Sequence, residues 1–282
     1  MNYIFFGTPR FAEIVLEKLI QAGTPPTLVV CNPDRPTGRK KNMTPPLTKV
    51  LAEKNHIPVL QPEKLDEEFV RQLSVSGAEV AIVVAYGKII PEEVLHIPAR
   101  GIIGVHPSLL PKYRGASPIQ SAMLNGEKET GVTLYIVDEK VDNGPILVKR
   151  ELNVELQMLN YENAEKKLAE LGAELLIETL AKYIKGEIKP QPQDESLATL
   201  TKKFVSLDGF VDLQKDDPKL IARKIRALNP DPGVYTMQNG QPNGEAGKRL
   251  KLLEVKEEDG GVIITKTQME GKRPQTNNIA LQ

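Results

Sequence analysis

Short apolar runs alternate with stretches of helical periodicity through the first two thirds of the chain. Residues 2 to 6 read as a buried strand, and Gly7-Thr8-Pro9 turns the chain. Phe11, Ile14, Val15, Lys18 and Leu19 then recur at helical spacing as far as Gln21, with Gly23 as C-terminal cap. Thr27 to Cys31 is a second strand, and this strand, helix, strand order is the parallel unit of a doubly wound sheet. The alternation continues with a helix at 48 to 55, a short strand at 57 to 60 and a helix at 66 to 74. The central strand is EVAIVVA at 79 to 85, and another strand covers 101 to 105. A helix from Pro118 to Leu124, strands at 131 to 137 and 146 to 154, and a helix from Tyr161 to Lys185 stopped by Gly186 complete an α/β, Rossmann-like domain over 1–190. On that last helix Leu168, Leu171, Leu175, Thr179 and Tyr183 share one face and read as core.

The pattern then changes. KPQPQDE at 189 to 195 is polar with alternating prolines, the signature of a linker, which we place at 191–203. Beyond it, 204–282 offers strand candidates at 209 to 213, 250 to 255 and 261 to 266, a helix from Pro218 to Leu228 and a Gly/Asn-rich stretch at 239 to 247. These suit a small β-barrel with one helix, and the tail after Pro274 lacks an obvious final helix.

Charge and composition exclude more than they select. Over 282 residues Lys plus Arg and Asp plus Glu are both 37, so any contact with a polyanion needs a local basic patch. One such patch exists: NPDRPTGRKKNMTPP at 32 to 46 reads as a loop carrying Arg35, Arg39, Lys40 and Lys41, either a solvated surface run or an anion-contacting one. The single cysteine, Cys31, rules out an internal disulfide framework and a cysteine-based zinc cluster; it fits a reducing compartment. No leader pattern or membrane-length apolar run is present, so a cytoplasmic protein is expected, with no membrane partner and monomeric by default. The first turn has one glycine and no G-x-G-x-x-G, which weakens a nicotinamide-dependent oxidoreductase reading.

The candidate chemistry lies in GIIGVHPSLLPKYRG at 101 to 115. An apolar strand ends there in His106, and Pro107 opens a turn-rich loop with two cations that no strand requires. In open α/β sheets such a strand exit lines the ligand crevice. Asp142, in the loop after a later strand, could converge with His106 as a general acid/base pair without nucleophile or metal. From the residues alone His106 is either catalytic or a hydrogen-bonded structural histidine, and Asp142 either catalytic or a turn former.

HPSLLP at 106 to 111, with the acid of VDNGP 142 − 106 = 36 residues on, resembles the signature of the folate-dependent formyltransferases. GTPRFA at 7 to 12, PDRPTGR at 33 to 39, VVAYGKIIP at 83 to 91, SLLPKYRGASPIQ at 108 to 120 and EGKRP at 270 to 274 look like the branch acting on methionyl-tRNA, over nearly the whole chain. The resemblance implies transfer of a formyl group from 10-formyltetrahydrofolate to the α-amine of initiator methionyl-tRNA, for translation initiation, with no metal. His106 and Asp142 match the family's catalytic pair. Val84, Ala85, Tyr86, Gly87, Ile89, Ser108, Leu109, Leu110, Pro111, Asp138 and Asp142 fall where the family holds folate. Arg35, Arg39, Lys40 and Lys41 fall in its tRNA-entering insertion. The C-terminal domain matches an OB-like barrel in which Lys202, Lys203 and Arg249, with Arg223, Lys248 and Lys251, are candidate tRNA contacts.

One position departs from the pattern. The family motif is N-x-H, and two residues before His106 stands Gly104, which has no amide to donate to the formyl oxygen. Water, a backbone N–H or another side chain must replace that donor, or activity falls; an oxyanion donor is worth about 3 kcal/mol. A weakly active or non-catalytic tRNA-binding homologue is therefore one alternative. A formyltransferase acting on a sugar-nucleotide or ribonucleotide amine is another, against which stand the basic loop and the second domain.

Overall fold

In the computed structural model, residues 2–38, 41–238, 247–258 and 261–281 are described. The β1 strand (Tyr3–Gly7) is buried at every position, so it lies in the middle of a sheet covered on both faces. There follow α1 (Arg10–Gln21), β2 (Leu28–Val30), β3 (Arg35–Thr37), β4 (Asn42–Thr44), α2 (Leu47–Lys54), β5 (Val59–Leu60), α3 (Glu67–Ser74), β6 (Val80–Val84) and α4 (Glu92–Leu95). Next come β7 (Ile102–His106), β8 (Arg114–Gly115), α5 (Pro118–Leu124), β9 (Gly131–Ile136), β10 (Ile146–Glu151) and α6 (Tyr161–Ile184). The remainder comprises β11 (Leu200–Thr201), α7 (Pro218–Leu228), β12 (Tyr235–Gln238), β13 (Lys248–Glu258), β14 (Gly261–Met269) and β15 (Gln275–Leu281).

The chain divides into two units. The first comprises Met1–Gly115, Thr130–Asn153 and Glu165–Leu200; the second comprises Ala116–Glu129, Val154–Ala164 and Thr201–Gln282. The first is built on a seven-stranded sheet in the order β10-β9-β7-β6-β1-β2-β5. The five strands from β7 to β5 are parallel; β9 runs antiparallel to β7, and β10, antiparallel to β9, points the same way as the five. This mixed, mostly parallel sheet is the expected α/β architecture. On one face Ile4, Phe6, Phe69, Leu73, Tyr86 and Ile102 form a continuous apolar cluster. The carboxyl ends of β1, β6 and β7 share one edge, which carries Gly7, Val84 and His106.

The second unit contains α5, α7 and an antiparallel sheet in the order β12-β13-β14-β15, open among the described residues. Two expectations are corrected here. The 32 to 46 loop contains a two-stranded hairpin, Arg35 opposite Thr44 and Thr37 opposite Asn42, because Gly38 takes φ 69° and turns the chain. The 209 to 213 strand is absent: Ser206–Gly209 is a 3₁₀ turn, and only Phe210 forms a bridge, to Tyr235. The carboxylates of Asp208 and Asp212 take the backbone N–H groups of Val205 and Gln214, which competes with a strand ladder. β12 and β15 are strands beyond the candidates at 209 to 213, 250 to 255 and 261 to 266. Most of the Gly/Asn-rich stretch, 239 to 246, lies outside the described residues.

Residues 191–199 belong to the first unit and are tied into it by hydrogen bonds. Gln191 and Ile146 exchange N–H···O bonds of 2.7 and 2.8 Å, and Arg114 N donates to Thr199 O at 2.9 Å. At the sheet edge, fully buried Thr133 ties the SLLP turn to β9. Its hydroxyl donates to Ser108 O at 2.7 Å and accepts from Leu110 N at 3.1 Å. Thr133→Val keeps the shape and orphans both buried backbone groups. Urea unfolding should therefore show a loss of about 1–3 kcal/mol; an unchanged midpoint and slope would remove Thr133 from that role.

Candidate active site

His106 is the last residue of β7, with β9 beside it in antiparallel register: His106 pairs with Thr133 and Gly104 with Tyr135. Residues two apart on a strand share a face, so these four lie on one patch at the sheet's carboxyl edge. His106 is buried, at 6% exposure. Its Nε2 lies 2.8 Å from the carbonyl of Tyr113. A carbonyl only accepts, so Nε2 carries the proton, and the ring is anchored by the loop it precedes. Its Nδ1 faces Asp142 Oδ2 at 3.5 Å.

Asp142 reaches this point from the 138 to 145 loop. It adopts φ 51°, and Gly144 lets the chain double back, since a Cβ there would lie 1.8 Å from Ile136 O. The carboxylate is held on both oxygens: Gly115 N donates to Oδ2 at 2.7 Å and Tyr135 Oη donates to Oδ1 at 2.6 Å. Burial, reinforced by the Asp142 carboxylate, holds the Tyr135 phenol well above its usual pKa, so it stays protonated and donating. A Cβ on Gly104 would lie 2.3 Å from Tyr135 Cε1. Ala85, Tyr113 and Asp142, all non-glycine, take positive φ in the three loops of this edge.

The structure thus brings together Gly104, His106 and Asp142 among the sequence candidates. The Asp138 carboxylate accepts from Lys140 N and Asn143 Nδ2 and shapes the loop. Ser108 is buried and donates to Lys112 O, and Leu110 and Pro111 are buried in the turn, whereas Leu109 packs near Gly131. Val84, the last residue of β6, is buried; beyond it Ala85 and Gly87 are exposed, and Ile89 is 83% exposed. The Tyr86 side chain turns into the core against Phe6, its hydroxyl unpartnered.

Among the cations, Arg35 pairs with Glu63 at 3.1 Å, Lys202 with Asp208, and the Arg249 guanidinium lies 4.4 Å from the centre of the Tyr235 ring. Lys41 and Lys203 are exposed, and Arg39 and Lys40 lie outside the described residues. Sequence reasoning missed Tyr135 and Arg114. The glycine in a buried strand was the available signal for Tyr135, since such glycines mark a close approach. Arg114, 5% exposed, donates to Gln193 Oε1, Asn143 Oδ1 and both Glu195 oxygens at 2.8 to 3.1 Å. Gln193 donates in turn to the carbonyls of Asp142 and Gly144.

Comparisons with known proteins show the family. The formyl transferase family profile matches residues 1–180. The chain is 41% identical to a methionyl-tRNA formyltransferase of Synechococcus sp. (strain JA-3-3Ab), over 98% of this chain and 93% of that one. It is 43% identical to the methionyl-tRNA formyltransferase of Thermodesulfovibrio yellowstonii, over 93% and 83%. Among solved structures, methionyl-tRNA formyltransferase from Clostridium thermocellum shares the fold at TM-score 0.65 and 17% identity, covering 95% of this chain and 98% of that one. HypX from Aquifex aeolicus, in complex with tetrahydrofolic acid, shares it at TM-score 0.65 and 18% identity, covering 99% of this chain and 45% of that longer one.

Arg114→Lys keeps the charge and loses the forked geometry that joins the 138 to 145 loop to residues 193–195. Amide hydrogen exchange over 193–199 should accelerate by about tenfold or more, the equivalent of about 1.4 kcal/mol in local opening. Exchange as slow as in the unchanged protein would show that the fork does not hold the segment.

Proposed function

The chain belongs to the formyl transferase family, in the branch of the methionyl-tRNA formyltransferases, and we propose that it moves a formyl group from 10-formyltetrahydrofolate to the α-amine of initiator methionyl-tRNA. The observation that supports this chemistry best is the buried His106–Asp142 pair at the carboxyl edge of the sheet, anchored from behind by the Tyr113 carbonyl. Direct transfer needs no more than proton handling. The attacking amine must lose a proton, the formyl oxygen gains negative charge, and N10 of the folate needs a proton as its bond to the formyl carbon breaks. The proton released at one nitrogen balances the one required at the other.

His106 and Asp142 are the groups we assign to that transfer. With Nε2–H held on the Tyr113 carbonyl, Nδ1 is the nitrogen that exchanges a proton, and Asp142 stabilises the imidazolium that forms. Nδ1–H, the ring donor that Tyr113 does not hold, is then the one that can point toward the formyl oxygen as it becomes negative. The strand-end segment Val84, Ala85, Tyr86, Gly87 and Ile89 and the turn Ser108 to Pro111 would flank the folate, through backbone groups and apolar contact. Tyr86 contributes its backbone only, because its ring is in the core. The cations Arg35, Arg39, Lys40 and Lys41 would meet the tRNA acceptor end by phosphate contact. The sheet of the second unit, read as an OB-like module, would add Lys202, Lys203 and Arg249 in the same way.

The decisive assay supplies 10-formyltetrahydrofolate and charged initiator tRNA and detects formyl-methionyl-tRNA. His106→Ala and Asp142→Asn should each lower kcat by about 10²- to 10⁴-fold. Formylation of a sugar-nucleotide or ribonucleotide amine, with none on the tRNA, would overturn the acceptor assignment. Arg39→Ala should raise KM for the charged tRNA by about tenfold while leaving KM for folate unmoved, as loss of one phosphate contact requires; equal changes in both would remove that role.

A further inference from the structure

We infer that Tyr135 is a positioning residue of the formyl-transfer centre and that Gly104 is its steric counterpart, an inference that rests on the proposed formyl-transfer reading. The two residues face each other directly across β7 and β9. A Cβ at 104 would lie 2.3 Å from Cε1, 2.5 Å from Cζ and 2.9 Å from Oη of Tyr135, so the ring and any side chain at 104 exclude one another. The phenol therefore fills the volume in which a family asparagine would stand. It is not inert filler. Its hydroxyl donates to Asp142 Oδ1 at 2.6 Å, and its ring meets the His106 imidazole edge-to-face, with centroids 6.5 Å apart and planes at 90°.

Asp142 needs this hold. Its backbone is in the left-handed region, and of its two oxygens one is fixed by Gly115 N and the other by the Tyr135 hydroxyl. With Oδ1 fixed, the plane of the carboxylate is fixed, and Oδ2 is presented to His106 Nδ1. A phenol has a single proton, and here it is committed to Asp142. Tyr135 therefore replaces the missing asparagine in space and restores order to the centre through Asp142; it does not itself supply the amide's donation to substrate. Because the ring approaches the 104 backbone so closely, the glycine is a requirement of the tyrosine.

The test is a set of variants assayed for formylation of methionyl-tRNA, with thermal melting as a check on folding. Tyr135→Phe keeps the ring and loses only the hydroxyl. It should lower kcat by about 10- to 100-fold, the equivalent of one hydrogen bond to a charged group, with KM for both substrates within about twofold. Gly104→Asn alone should lose at least as much, because the ring occupies the space. Gly104→Asn/Tyr135→Leu should regain about tenfold or more in kcat over Gly104→Asn, a coupling that independent sites do not show. A Tyr135→Phe enzyme with unchanged kcat, a loss confined to KM, or a double variant no better than Gly104→Asn would overturn the inference. If the unchanged protein formylates no methionyl-tRNA, the proposed function fails instead.

Discussion

The Asp142 carboxylate is the point on which the candidate site depends. It collects the backbone N–H of Gly115, the hydroxyl of Tyr135 and the imidazole of His106, and so joins the loop after β7, the strand β9 and its own loop. A non-glycine residue in the left-handed region costs about 1–3 kcal/mol. Hydrogen bonds to a charged group contribute about 1.5–3 kcal/mol each, so the two donors offset the conformation that brings the carboxylate there. Take the donors away and the loop has little reason to keep Asp142 facing His106.

A second layer holds these loops from outside. Arg114 is buried, and a buried guanidinium is tolerated only when its donors are satisfied. Its partners Asn143, Gln193 and Glu195 come from the 138 to 145 loop and from the polar segment beyond α6. Gln193 then caps the carbonyls of Asp142 and Gly144. The same arginine thus keeps the 114–115 end of one loop and the 142–144 end of the other in register, and Gly115 N stays within reach of Asp142. Such outer hydrogen bonds are what hold a reacting pair to a fraction of an ångström.

The parallel sheet was legible because parallel strands are buried on both faces and read as continuous apolar runs; YIFFG and VAIVV carry that mark. His106 was legible because the apolar run stops at it. The hairpin at Arg35–Thr44 was not, since two exposed three-residue strands containing Pro36 leave no alternation to detect. β12 and β15 escaped for a related reason: QTNNIAL becomes a strand through pairing with β14, while its own composition favours turns. Residues 191–199 read as a linker because a hydrogen-bonded strap and a solvated spacer share the same polar, proline-rich composition. Tyr135 and Arg114 were invisible as site residues because what matters about each is a partner distant in sequence.

Gly104 shows most plainly what residue-by-residue matching leaves out. Read as a letter, a glycine in place of an asparagine is a lost donor. Read as volume, it is space given to a tyrosine one strand away, and a strand position has an opposite neighbour as fixed as any sequence neighbour. The two readings make different statements about the chain: a lost donor leaves the site poorer, whereas an exchanged volume leaves it filled by a group with its own hydrogen bond. The 2.3 Å that would separate a Cβ at 104 from the ring favours the second, because the ring lies where a side chain at 104 would begin. A substitution at the reacting edge of a sheet is therefore best judged together with the residue that faces it, and here that residue turns an apparent defect in the motif into a second way of ordering the same carboxylate.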